Sequence, residues 1–259
     1  MREDNGLLDR EKPLVGASGM LFSKPVFEIY AEYDLDYLFL DFEHNGHSIW
    51  DSKQLEDITR TVENTQIEPI VRVPSGNALG LTGLISKVLD SGIRNIVVPR
   101  VRTPSEVRTL VKATKFSHEN QPGMRGISAG RGSRWGGNLN SEWTEQEDSS
   151  CNLGVMVENT EAIENLDEIV AIDGLEFVLI GANDLSADLE IPLNHSSDKF
   201  EEAINQIAEC CNTNNTPFGL LGGNLEKRRE FLNQGSSFFH IGSDIGFIRS
   251  TLDDLSGRV

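Results

Sequence analysis

The chain has 259 residues, 38% of them hydrophobic and 25% charged, enough for one large domain with a substantial core and too apolar for a disordered chain. Its 41 acidic residues face 23 basic ones, a formal charge of −18 that repels phosphate backbones and anionic membranes and argues against a nucleic-acid partner. No apolar run approaches the roughly 18 residues of a membrane span, and the polar, acidic start from Met1 to Lys12 is unlike a signal peptide, so a cytoplasmic protein with no membrane partner is expected.

Residues 1–12 are expected to form a flexible segment ahead of one domain that takes the rest of 1–259. The first β-prone run is Leu14 to Met20, and the second, Tyr37 to Asp41, leads into Glu43 and His44. Leu55 to Val62 has helical spacing, then Pro69 to Val73 forms a third strand-like run containing Arg72. Leu79 to Leu89 is helical and closed by Ser91-Gly92, a helix-ending signal. Asn95 to Val98 comes fourth, followed by Arg100 and a helix over Pro104 to Ala113. The rhythm breaks from about Ser117 to Asn152, a stretch rich in Gly, Asn, Ser and acids, and so long an interruption in a compact domain is usually functional or mobile. It resumes with Leu153 to Val157 running into Glu158, a helix over Ala162 to Val170, and Phe177 to Ile180 followed by Gly181-Ala182-Asn183-Asp184. Phe200 to Cys211 and Leu225 to Leu232 read as helices around the strand-like Pro217 to Leu221, and Phe238 to Ile241 is the eighth run.

These runs are too continuously apolar for a sheet with one wet face and suit parallel strands covered by helices, an α/β arrangement. Eight of them in this length predict a (β/α)8 TIM barrel rather than an open doubly wound sheet, since neither G-x-x-x-x-G-K-[ST] nor a strand-following G-x-G-x-x-G occurs.

In such a barrel chemistry sits at the carboxyl ends of the strands. Glu158 and Asp184 close neighbouring strands, with no Cys or sequence-paired His nearby, and form a hard, oxygen-rich site suited to Mg2+ or Mn2+. Each has a plainer reading alone, Glu158 as a first-turn acid and Asp184 as an N-cap; their matching positions weigh toward the metal. His44 lies three residues beyond Asp41, whose carboxylate is placed to orient the ring, so it is the candidate acid/base against a solvated loop histidine. Arg72, in the apolar context Pro69 to Val73, requires an anion: substrate, an active-site carboxylate, or a structural ion pair. Arg100 is a weaker candidate of the same kind, and Arg125-Gly126 with Arg131 to Trp135 could bind an anion or bridge subunits. His47 falls in a turn with Gly46 and is not read as a ligand, while His118, His195 and His240 lack polar company and are read as structural. Cys151, Cys210 and Cys211 form no C-x-x-C pair and are read as reduced bystanders.

Seven motifs then carry a resemblance over nearly the whole chain. They are D-Y-L-F-L-D-F-E-H (Asp36 to His44), P-I-V-R (Pro69 to Arg72), V-V-P-R-V (Val97 to Val101), P-G-M-R-G (Pro122 to Gly126), S-R-W-G (Ser133 to Gly136), V-E-N-T-E-A-I-E-N-L (Val157 to Leu166) and I-G-A-N-D-L-S-A-D (Ile180 to Asp188). In order and spacing they resemble the metal-dependent, class II pyruvate aldolases of the 4-hydroxy-2-oxoheptanedioate aldolase type, in the HpcH/HpaI aldolase and citrate lyase superfamily. The resemblance implies a barrel of the phosphoenolpyruvate/pyruvate-binding type that reversibly cleaves a 4-hydroxy-2-oxo acid to pyruvate and an aldehyde with Mg2+, Mn2+ or Co2+. It implies that Glu158 and Asp184 hold the cation and that backbone N–H groups around Ala182, Asn183 and Asp184 receive the pyruvate carboxylate. Arg72 would stabilise the enolate, and His44, oriented by Asp41, would act with water as acid/base; Lys24 and Lys87 then need no Schiff-base role. A homo-oligomer is also implied, typically a hexamer with the last helix exchanged between subunits. Here that helix would follow Ser243-Asp244 and carry Ile245, Phe247, Ile248 and Leu252; folding onto its own barrel is the simpler alternative. The chain departs from the family at Met156, where Gln is frequent, at Phe42, where Gly is common, and at Arg100, where Met is common.

Two rivals share the architecture: an acyl-CoA lyase of the citrate lyase β or malyl-CoA type, and a non-catalytic barrel used for binding or assembly. The charge also has two readings. With 8 Lys against 15 Arg and acids spread from end to end, the chain is either an ordinary acidic protein or one adapted to high salt, where screening relieves self-repulsion.

Overall fold

Apolar strands buried on both faces alternate with helices that cover them. The computed structural model describes residues 7–8, 12–45 and 48–257. The chain runs β1 (Leu14–Ser18), α1 (Lys24–Glu32), β2 (Tyr37–Asp41), α2 (Ser52–Val62), β3 (Glu68–Arg72), α3 (Thr82–Asp90), β4 (Asn95–Val98) and α4 (Pro104–Thr114). After a 3-10 turn at Arg131–Ser133 come α5 (Ser141–Ser150), β5 (Asn152–Val157), α6 (Thr160–Glu164), α7 (Leu166–Val170), β6 (Phe177–Gly181) and α8 (Ala182–Asp188). The chain ends with α9 (Asp198–Thr213), β7 (Phe218–Leu221), α10 (Leu225–Leu232), β8 (Phe238–Ser243) and α11 (Asp244–Ser256). The strands pair in parallel in sequence order and β8 returns to β1, so the expected (β/α)8 barrel is closed. His47 and most of the 1–12 segment lie outside the described residues, although Leu7 is buried against the barrel interior.

Side-chain caps start many of the helices. Asp51, Asn140, Asn159, Asn224 and Ser243 each accept a first-turn backbone N–H, at α2, α5, α6, α10 and α11. Thr103 and Glu106 form a reciprocal capping box at α4, satisfying donors that the helix leaves unpaired. Apolar spacing alone does not announce α1, which buries only Phe27 and Tyr30. The same holds for α5, which occupies the break in rhythm and anchors it through Trp143.

The core has two layers. One lies between strands and helices. The other fills the barrel's inside with Leu14, Tyr37, Phe39, Ile70, Val97, Met156, Phe177, Leu179 and Phe238. Large rings fit there because glycines face them: a Cβ on Gly16 would lie 2.4 Å from Tyr37, and one on Gly154 would lie 2.2 Å from Phe177. This interior layer is solid, so the open space lies above it, at the carboxyl ends of the strands.

Candidate active site

At those ends a pocket of about 490 Å³ opens, lined by Asp41, His44, Arg72, Met156, Glu158, the segment Gly181 to Asp184, Arg228 and His240, among others. The register of β2 against β3 sets Asp41 directly opposite Arg72. Their pairing is bidentate: Arg72 donates from Nε to Asp41 Oδ1 at 2.9 Å and from Nη2 to Oδ2 at 2.6 Å. The remaining guanidinium nitrogen, Nη1, is 3.3 Å from Glu43 Oε2 and 3.9 Å from Glu158 Oε1, so one fixed, planar cation faces three carboxylates. Burial works to raise the Asp41 pKa, but Arg72 and the backbone N–H groups of Glu43 and His44 outweigh it and hold the carboxyl below its ordinary value.

Glu158 follows β5 with its side chain 2% exposed. Its Oε2 accepts the Arg100 backbone N–H at 2.9 Å, while the buried Oε1 has no hydrogen-bond partner. Burial pushes its pKa up to about 7; the Arg100 amide and the Arg72 charge oppose this without cancelling it. The carboxylate fits only because residue 181 is glycine, since a Cβ there would stand 2.2 Å from Glu158 Oε1. Asp184, in the first turn of α8, accepts a hydrogen bond from Arg100 Nη2 at 2.9 Å. Gly181 brings no side-chain cap to α8, which leaves its first N–H groups to the pocket.

Glu158 and Asp184 fit a hard divalent cation on this chemistry: two carboxylates, one with a buried oxygen that lacks a donor. Among the described residues no group of three or more His, Cys, Asp and Glu converges into a cage, so an ion held here keeps positions for water or substrate oxygens.

Two expectations take a different form in the structure. Asp41 holds His44 through the backbone N–H, at 3.3 Å, and its carboxylate oxygens are otherwise taken by Arg72 and the Glu43 N–H. The His44 ring is instead 3.7 Å from Glu43 Oε2 and its side chain is 53% exposed, placing it at the pocket's rim. His240, expected to be structural, is buried yet lines the pocket. Its Nε2 is 3.2 Å from Ser18 Oγ and its Nδ1 is 3.4 Å from the Tyr37 hydroxyl. Burial and the positive charge of Arg228 depress its pKa to about 3, so the ring is neutral. The strand period held the missed signal, because Phe238 and His240 fall on the same face of β8. Arg228 bonds only to the backbone carbonyls of Asn224 and His240 and has no carboxylate partner among the described residues.

The remaining candidates lie elsewhere. Arg125 is buried on Glu147, 3.0 Å away, and over the Phe116 ring, while Arg131 pairs with Glu63 at 2.6 Å. Arg131 therefore ties the 117–152 segment to the end of α2, whereas Arg125 braces the segment from within and reaches Asp90 of α3 only at 3.9 Å. Burial raises the thiol pKa of Cys210 and of Cys211 to about 12, which suits inert cysteines.

A sequence profile of the HpcH/HpaI aldolase/citrate lyase family matches residues 20–251. The chain is 30% identical over 233 residues to a hydroxypyruvate/pyruvate aldolase of Pseudomonas aeruginosa, covering 89% of this chain and 82% of that protein. A 5-keto-4-deoxy-D-glucarate aldolase of Escherichia coli is 28% identical over 229 residues, with 88% and 85% covered. The structure superposes on an HpcH/HpaI aldolase/citrate lyase family protein from Burkholderia cenocepacia with a TM-score of 0.87 at 24% identity, over 97% of this chain and 96% of that one.

Proposed function

The chain belongs to the HpcH/HpaI aldolase/citrate lyase family and is an aldolase-class carbon–carbon lyase; from that premise we propose that it reversibly cleaves a 4-hydroxy-2-oxo acid to pyruvate and an aldehyde with a divalent cation. The observation that carries this is the buried Glu158 carboxylate, unpartnered at Oε1 and set between Arg72 and Asp184. When bound by Glu158 and Asp184, Mg2+, Mn2+ or Co2+ supplies Lewis acidity to the oxo acid, the electron sink that other aldolases obtain from a lysine Schiff base.

The rest is work for the chain's own groups. The uncapped N–H groups at Ala182, Asn183 and Asp184 receive the substrate carboxylate. Arg72, locked by Asp41, presents Nη1 to the 2-oxygen, where negative charge develops as the bond between C3 and C4 breaks. His44, beside Glu43, takes the proton of the 4-hydroxyl directly or through a water. In the synthetic direction it returns that proton to the new alkoxide. The Ser18, Arg228 and His240 wall faces the aldehyde portion.

The same reading extends to assembly, as a homo-oligomer built through α11. Asp244 is the one buried residue of that helix, and Phe247, Ile248, Leu252 and Leu255 are exposed, an apolar stripe that its own barrel leaves open.

Purified protein should release pyruvate from 4-hydroxy-2-oxo acids when Mg2+, Mn2+ or Co2+ is present and stop when the metal is chelated, followed by a pyruvate-coupled assay. The Glu158→Gln variant should lose that activity. Release that survives both the chelator and the variant removes the metal reading.

A further inference from the structure

Arg100 leaves β4 in the left-handed region, at φ 56°, a conformation that is strained for any side chain larger than glycine. Two contacts hold it there. Its backbone N–H donates to Glu158 Oε2 at 2.9 Å, and its guanidinium turns back so that Nη2 donates to Asp184 Oδ1 at 2.9 Å. Nε lies 3.8 Å from Glu43 Oε1, a buried oxygen with no hydrogen-bond partner. One residue thus touches both carboxylates assigned to the cation.

The charges around that point are few and countable. Asp41, Glu43, Glu158 and Asp184 bring four negative charges when ionised, and Arg72 and Arg100 bring two positive ones. These paired groups alone balance one divalent cation; Arg228, which lines the same pocket without a carboxylate partner among the described residues, adds a positive charge that is the same with or without Arg100. Without Arg100 the cluster is more negative by one charge, empty or loaded. Such a site attracts the metal more strongly and an anion less.

We propose that Arg100 is a charge-balancing positioning residue of this site: its guanidinium on Asp184 weakens cation binding and strengthens the binding of an anionic oxo acid to the loaded protein. The proposal rests on the divalent-cation reading above and deepens it.

The signs of two binding constants test it. Mn2+ alone is titrated into wild type, Arg100→Met and Arg100→Lys at fixed ionic strength, with free Mn2+ read by electron paramagnetic resonance. Oxalate, a dianion close in size to the pyruvate enolate, is then titrated calorimetrically into each Mn2+-saturated protein. Arg100→Met should bind Mn2+ about tenfold more tightly and oxalate about tenfold more weakly, the scale of one unit charge at contact range. Arg100→Lys, which keeps the charge, should stay near wild type in both. If the two constants move together, if neither moves, or if lysine behaves as methionine does, the proposal falls. Arg100→Gln repeats the test should the methionine variant fail to fold. Mn2+ binding that survives Glu158→Gln overturns the cation reading itself, whereas loss of binding there with a neutral Arg100→Met overturns only the role given to Arg100.

Discussion

At the scale of single residues, the role proposed for Glu158 ties pH, metal and stability together. Its pKa rises from 4.5 to about 7 in the folded chain, chiefly through burial. A raised folded value means that its contribution is fully present below about 4.5 and is lost as pH climbs through about 7. Metal-free protein should therefore lose on the order of 3 kcal/mol across that window, seen in urea unfolding at stepped pH, and Glu158→Gln should flatten the profile. A cation reverses the sense by competing with the proton, so Mn2+ affinity should fall as pH drops below 7. His44 makes a separate prediction: His44→Ala should cut kcat by roughly 100- to 10,000-fold and leave the Mn2+ dissociation constant within a few fold. Equal losses in both would assign the histidine to the metal instead. That these residues meet was legible because Asp41 and Arg72 end their strands, Glu158 directly follows β5 and Asp184 lies in the first turn after β6. Glu43 was harder to read. Its importance comes from Arg72 Nη1 and Arg100 Nε, which lie on other strands or past their ends, and no spacing in sequence encodes that approach.

At the scale of elements, the junction of β6 with α8 is the most constrained stretch of the site. Gly181→Ala puts a methyl group where Glu158 Oε1 lies, 2.2 Å from its carboxylate oxygen. The variant should keep its circular dichroism and lose at least about tenfold in Mn2+ affinity, the scale at which displaced supports act on metal ligands. α11 carries the second prediction. The double variant Ile248→Glu, Leu252→Glu should shift light-scattering mass from a multiple of 28.7 kDa toward the single protomer; an unchanged mass would place the interface elsewhere. Elements with strong apolar periodicity, such as α3 and α4, were readable. α1 and α5 were not, because α1 buries only two side chains and α5 buries mostly polar ones, and they start on a proline and an asparagine cap respectively.

For the whole molecule, the charge of −18 acts mostly outside the pocket, whose lining holds Arg72 and Arg228 and whose carboxylate Asp184 carries Arg100. Self-repulsion among surface acids is screened within roughly 3 Å at 1 M salt. The unfolding midpoint and the turnover are therefore expected to rise from dilute buffer into molar KCl, and a flat response would make the acidity ordinary.

The solid inner layer of the barrel has a kinetic consequence. With Tyr37, Phe177 and Phe238 filling the barrel's inside, the core offers no passage beneath the pocket. In the proposed reading the pyruvate half binds against Glu158, 2% exposed, and the 4-hydroxyl lies by His44, 53% exposed at the rim. That reading expects products to leave in sequence, aldehyde first and pyruvate second. Pyruvate should inhibit cleavage competitively against the hydroxy-oxo acid, and the aldehyde should give a mixed pattern, because only the last product to leave returns to the empty enzyme.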